Sequence, residues 1–63
     1  MAKPITKITF IFTDIWGASS TVSLIYHGEI EEAVMECKSG WKRFTDVNSF
    51  FSKDITILSA EYV

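Results

Sequence analysis

The chain has 63 residues, of which 48% are hydrophobic and 22% are charged, and its formal net charge is −2. This composition is typical of a globular protein, and the length predicts a single small domain, residues 1–63, with one core. The slight acidic excess argues against direct nucleic-acid binding, which normally requires a clear basic excess. The single cysteine excludes an intrachain disulfide and every multi-cysteine zinc site.

No segment has the pattern of a signal peptide or of a membrane span. The apolar run after Lys7 alternates with threonine and is interrupted by Asp14, and it is far too short to cross a bilayer. Because the chain also has no disulfide framework, we expect a cytoplasmic protein that does not contact membranes.

Two strands joined by a hairpin are predicted at the start of the chain, over residues 5–15 and 21–27. The small residues GASS at 17–20 are typical of the connection between them. Strand side chains alternate between faces, so each strand has an apolar face and a face of small polar residues with a few isoleucines. The apolar faces carry Ile8, Phe10, Phe12, Val22, Leu24 and Tyr26, and the other faces include Ile11, Ile15 and Ile25.

After Gly28 the apolar period changes from two residues to 3.6, which indicates an amphipathic helix. Its apolar stripe consists of Ile30, Ala33, Val34, Cys37, Trp41 and Phe44. A helix is predicted over residues 29–39, with glutamates at its start as the helix dipole favours. Gly40 could end this helix, but the continuing stripe favours an unbroken one, in which the missing side chain would allow close approach to the sheet.

The rest of the chain is predicted to form a loop and a last strand. Val47, Phe50 and Phe51 have the spacing of one helical turn, so we expect a short extra helix near residues 46–52 that covers the end of the core. The final strand, over 55–63, alternates in the sequence. Strict alternation would place Ile55, Ile57, Ser59 and Glu61 on one face and Thr56, Leu58, Ala60 and Tyr62 on the other.

The order strand, strand, helix, strand predicts an α+β fold of type ββαβ. The hairpin makes the first two strands antiparallel, and the helix returns the chain so that the third strand pairs beside the first. The expected sheet is antiparallel and three-stranded, in the order 2-1-3. The helix is expected to pack on one face and to cover the apolar side chains of the first and second strands, which leaves the other face open.

No catalytic, cofactor or metal site is predicted. His27 is the only histidine and lies at a strand end, which is typical of a surface residue. Cys37 lies on the apolar stripe, so we expect it to pack in the core rather than to act as a nucleophile. Because no glycine-rich phosphate loop and no spaced set of metal ligands is present, a non-enzymatic protein is expected.

Several exposed residues are candidates for contact with a protein partner. The open face of the sheet and the two edge strands could bind a second chain. The glutamates near the start of the helix are either an ordinary solvated helix start or a negative patch that docks on a basic surface. The candidate partner-binding residues are Ile11, Ile15 and Ile25 on the open face, Trp16 near the hairpin turn, Met35 on the far side of the helix, and Glu29, Glu31, Glu32 and Glu36.

Two functions remain open from the sequence. In size, acidic balance and order of strands and helix, the chain resembles small phage-encoded inhibitors of host nucleic-acid-processing complexes. This resemblance implies an inhibitor or modulator of a larger protein machine. The alternative is a self-associating, homodimeric protein that acts near nucleic acid through Lys38, Lys42 and Arg43.

Overall fold

The chain folds into three strands and one helix, which a computed structural model describes for residues 3–63. The elements are β1 (Ile5–Thr13), β2 (Ser19–His27), α1 (Ile30–Val47) and β3 (Thr56–Tyr62). The strands form one antiparallel sheet in the order β2-β1-β3. The predicted ββαβ fold and strand order are therefore confirmed.

The hairpin between β1 and β2 is closed by the side chain of Asp14. Its Oδ1 atom accepts hydrogen bonds from the backbone N–H groups of Trp16 and Ala18, each at 2.9 Å. Gly17 supplies the positive φ of 87° that the turn requires. Because these bonds reverse the chain, β1 ends at Thr13. Ile15, which we predicted on the open face of the first strand, lies instead in the exposed turn.

Strand β3 contains a β-bulge that the alternating sequence does not reveal. Thr9 pairs with Ser59, and the next residue of β1, Phe10, pairs with Ile57, so Leu58 is the extra residue. Ile57 therefore packs against the core beneath the helix together with Ala60. The prediction that Ile57 shares a face with Ser59 is wrong.

Helix α1 continues through Gly40 to Val47 without a break, as the stripe predicted. The short extra helix near residues 46–52 is not formed, because residues 46 and 47 are the last turn of α1. The following segment is tied to the end of β1 instead. Ile15 N–H donates to the Phe50 carbonyl at 2.9 Å, and Ser52 N–H donates to the Thr13 carbonyl at 2.8 Å.

The fully buried core is small, and it lies under one side of the sheet. Its apolar members are Ile8, Phe10, Ala33 and Cys37. Helix α1 packs mainly on β1 and β3 and is displaced away from β2. The expectation that the helix covers the apolar face of β2 is therefore only partly correct, since Leu24 remains 42% exposed.

Candidate protein-binding site

An apolar groove with a volume of about 440 Å³ lies between helix α1 and strand β2. It exists because α1 packs on the other two strands. Gly40 contributes to its width, because a Cβ atom at this position would meet no atom within 4 Å apart from its chain neighbours and the adjoining helix backbone. The expected close approach of Gly40 to the sheet is therefore wrong. The groove is lined by Phe10, Phe12, Val22, Leu24, Tyr26, Cys37, Gly40, Trp41 and Phe44.

One end of the groove is formed by packed aromatic rings. The Trp41 ring contacts Phe12 and Phe44, with centroids 4.8 and 5.3 Å apart. Phe51 packs edge-on against Phe12 at 5.5 Å. The indole Nε1 of Trp41 donates a hydrogen bond to the Ser52 carbonyl at 2.8 Å, which holds the ring in place. This end of the groove is therefore preformed, and Phe44 on its rim is 43% exposed.

The other end of the groove carries a phenol and a thiol that stay protonated at neutral pH. Burial raises the pKa of Tyr26 to about 12, and the hydrogen bond with Cys37 and the nearby charge of Glu36 act in the same direction. Burial also raises the pKa of the Cys37 thiol, although Tyr26 and Lys38 oppose that shift. A protonated, buried thiol is a poor nucleophile, and Cys37 is only 2% exposed within the core, as the apolar stripe predicted.

The outer edge of β2 borders the same groove. Gly28 N–H donates to the Pro4 carbonyl, and Asp14 N–H donates to the Ala18 carbonyl. Hydrogen-bonded and non-hydrogen-bonded pairs alternate along an antiparallel ladder, so even-numbered residues of β2 bond to β1. The odd-numbered residues direct their N–H and C=O groups outward. We call these residues the β2 edge: Ser19, Thr21, Ser23, Ile25 and His27.

The open face of the sheet does not bring the predicted isoleucines together. Ile11 is half-buried opposite Thr21, whereas Ile25 lies opposite Lys7 and is 55% exposed. The row between them consists of Thr9 and Ser23, whose hydroxyl groups are hydrogen-bonded at 2.9 Å. A polar row thus divides the face, and the isoleucines do not form one apolar patch.

Trp16 has a partner that the sequence did not indicate. Its ring stacks on Phe50 with centroids 5.8 Å apart and an interplanar angle of 22°. With Ile15, these residues form a small exposed apolar cluster at the hairpin turn. Met35 is 70% exposed on α1 and does not line the groove.

The acidic residues at the helix start are partly engaged within the chain. The Tyr62 hydroxyl donates to Glu29, which raises the Tyr62 pKa, and Lys3 pairs with Glu32 at 3.5 Å. Glu31 and Glu36 are exposed. Two of the four predicted acidic residues, Glu29 and Glu32, therefore make contacts within the chain.

The predicted basic cluster of Lys38, Lys42 and Arg43 does not line a single depression. Lys38 and Lys42 line a second depression of about 480 Å³ together with Lys53, Asp54 and Ile55, and Arg43 is not among its lining residues. Lys53 pairs with Asp46 at 3.3 Å. The third cation of this depression is thus contributed by the segment before β3, which the sequence did not associate with the helix.

Residues 3–63 contain neither a metal-ligand cluster nor a membrane-spanning helix. Within residues 3–63, no group of three or more His, Cys, Asp or Glu side chains is placed to hold a metal ion. Over the same range, no helix combines the length and the apolar character that crossing a membrane requires.

Comparison with known proteins identifies no relative of this chain. The chain matches no protein-family model, no curated protein sequence and no solved structure.

Proposed function

We propose that this chain is a non-enzymatic protein-binding module that docks on a larger protein and modulates it, in the manner of an inhibitor. The observation that carries this proposal is the apolar groove between α1 and β2. Its floor is part of the core, since Phe10 is only 2% exposed, while Leu24 and Phe44 on its rim remain open to solvent. Apolar surface of this kind, beside a preformed aromatic wall, favours contact with another protein.

The distribution of apolar side chains supports the same proposal. Among the described residues, four apolar side chains are buried, whereas twelve large ones are exposed. Single exposed apolar residues are ordinary on a small protein. Here, however, Leu24 and Phe44 border one continuous depression. A partner that fills it would complete a core that the chain itself leaves unfinished.

The geometry fits an amphipathic helix as the partner segment. Helix α1 lies over β1 and β3, and helices pack about 8–10 Å apart. Neighbouring strands are about 4.8 Å apart, so a second helix beside α1 would lie over β2. Its apolar face would contact Leu24 and Phe44, and a basic residue would be favoured near Glu36, beside Tyr26.

Gly40 allows the groove to be filled without harm to the fold. The Cβ atom of Gly40→Leu would lie in open space, and Gly40→Ala is the matched control that adds only a methyl group. Both changes are expected to stabilise α1 by about 1 kcal/mol, because glycine is a poor helix former. Only Gly40→Leu is expected to abolish partner binding.

Binding is measured by photo-crosslinking in lysate of the source cells. A photoreactive residue at Leu24 is expected to capture a protein other than this chain itself, which the same residue at Met35 does not capture, and Gly40→Leu should abolish the capture of that other protein. Equal capture from both positions, or capture that survives Gly40→Leu in a folded protein, would contradict the groove as the docking surface. In that case Ile25 on the open face and Trp16 at the turn are the next positions for the crosslinker.

A further inference from the structure

We propose that a second copy of this chain adds to the β2 edge, antiparallel and about a twofold axis, so that two copies share one six-stranded sheet. The proposal deepens the proposed function, and rests on it in one respect, because the second copy would supply the opposite wall of the partner-binding groove. It concerns the free protein, however, and its test does not require the partner.

Strand β2 lacks the features that usually protect the edge of a sheet. Natural edge strands are usually protected by charged residues, proline, bulges or short length. Strand β2 has nine residues, SSTVSLIYH, with neither proline nor a formally charged residue, and its register with β1 is regular from end to end. By contrast, β3 has seven residues, carries Glu61, and is interrupted by the bulge at Leu58.

Strand β2 is also complementary to itself. The antiparallel register that overlaps all nine residues places Ser23 opposite Ser23 of the second copy. Both residues direct their backbone N–H and C=O groups outward, as a hydrogen-bonded pair requires. On the groove side, Val22 meets Leu24 of the second copy, which buries apolar surface. No like charges meet in this register, since β2 has no formal charge.

The proposed dimer would also complete the groove. In a shared sheet, the two α1 helices would be separated by about four strand spacings, roughly 19 Å. This is about twice the distance at which helices pack, so the gap accommodates one further helix. Two half-open grooves thus become one apolar trough with a helix on each side, and one partner helix would bind per two copies.

The test is the oligomeric state of the free protein by size-exclusion chromatography with light scattering. At about 100 µM chain, nearly all of a protein with a micromolar dimer Kd is dimeric. We therefore expect the wild type to have twice the monomer mass. Ser23→Pro removes an outward N–H group but no bond to β1, so the hairpin should persist and the protein should become monomeric. Ser23→Ala loses the same hydroxyl and keeps the N–H group, and it should remain dimeric.

A second pair of variants decides the question if Ser23→Pro does not fold. Ser23 and Ser59 are both exposed and pair with Thr9 from opposite sides. Ser23→Lys would place two ammonium groups opposite each other in the dimer, so we expect its Kd to rise about two- to fivefold, more at low salt. Ser59→Lys, with the same charge on β3, should leave the Kd unchanged.

Three results would overturn the proposal. One is a monomeric wild type at this concentration, which would leave the β2 edge to an extended strand of a different protein. The others are a folded, dimeric Ser23→Pro and an equal Kd for the two lysine variants. Gly40→Leu should remain dimeric, because Gly40 lies on α1 and not at the β2 edge. Failure of the dimer and failure of the proposed partner binding are therefore separate results.

Discussion

The two edge strands pair with opposite sides of β1, but helix α1 packs mainly over only one of them, β3. Strand β3 lies beneath α1, and its Ile57 and Ala60 pack against the core. Strand β2 has a regular register and no formal charge, and the groove lies along its inner face. From this difference we expect the β3 half of the molecule to contribute most of its stability, and the difference supports our proposal that the β2 half binds a partner.

The strongest test of this division is a charge placed where α1 meets the core. Val34 is half-buried against the core cluster, so Val34→Asp is expected to lower the free energy of unfolding by about 3 kcal/mol or more. A domain of this size has a total stability of roughly 3–9 kcal/mol. Circular dichroism during thermal unfolding should show loss of the cooperative transition.

Met35 provides the matched control for this variant. It is the next residue of the same helix and is largely exposed, so Met35→Asp is expected to leave the melting temperature within a few degrees of the wild type. A cooperative transition near the wild-type temperature in Val34→Asp would contradict the packing of α1 on the sheet.

The second test compares one truncation on each side of β1. Ile57 is half-buried beneath the helix, whereas Leu24 lies on the rim of the groove. Ile57→Ala is expected to cost about 2 kcal/mol and Leu24→Ala about 1 kcal/mol, because the loss grows with the apolar contact removed. Urea unfolding with a common m-value would measure both. A larger loss from Leu24→Ala would mean that β2 is also part of the stabilising core.

The third test concerns Trp41, which belongs to both halves. Its ring lines the groove, while its Nε1 atom bonds to the Ser52 carbonyl in the segment before β3. Trp41→Phe keeps an aromatic ring and removes this hydrogen bond, so the expected loss is about 1 kcal/mol. Amide hydrogen exchange should rise in residues 48–55 more than in β2. Equal changes in both regions would contradict the local role of this bond.

The sequence predicted the elements and their order because each leaves a clear periodic pattern. The change from period two to 3.6 after Gly28 marked the helix, and connection rules placed the first strand at the centre. The bulge at Leu58 was not predictable, because Ile57 and Leu58 are both apolar and a slip of one residue preserves the appearance of alternation.

The groove was missed for a different reason. The apolar stripe of α1 shows that the helix packs on the sheet, but it does not show over which two strands. Which strands the helix covers depends on the packing of Trp41 with Phe12 and Phe51. These contacts join residues that are distant in the chain, so the periodic pattern of the sequence does not reveal them. Gly40 was the one local signal, since a glycine at the edge of an apolar stripe changes how the helix meets the sheet. It leaves open space there instead of allowing close approach.

The smallest effect is expected from two tyrosines that occupy equivalent places on either side of β1. Tyr26 and Tyr62 both pair with Thr6, and the pKa of each is raised, to about 12 for Tyr26 by burial and upward for Tyr62 by the hydrogen bond to Glu29. The unfolded chain releases these protons near pH 10. The folded state thus holds more protons above that pH. The contribution of these two phenols to stability is therefore fully present below pH 10 and is lost as pH rises towards 12.

Replacing each phenol separates the two causes. Tyr26→Phe should flatten the decline in the free energy of unfolding between about pH 10 and 12, as measured by urea unfolding at a series of pH values. Tyr62→Phe should flatten it less, because its phenol is exposed and solvent screens its bond to Glu29. A partner that fills the groove would bury Tyr26 further and leave Tyr62 unchanged. In the complex, the tyrosinate absorbance of Tyr26 should then appear at still higher pH, whereas that of Tyr62 should not shift. This titration therefore reports on the half of the molecule that we propose to bind.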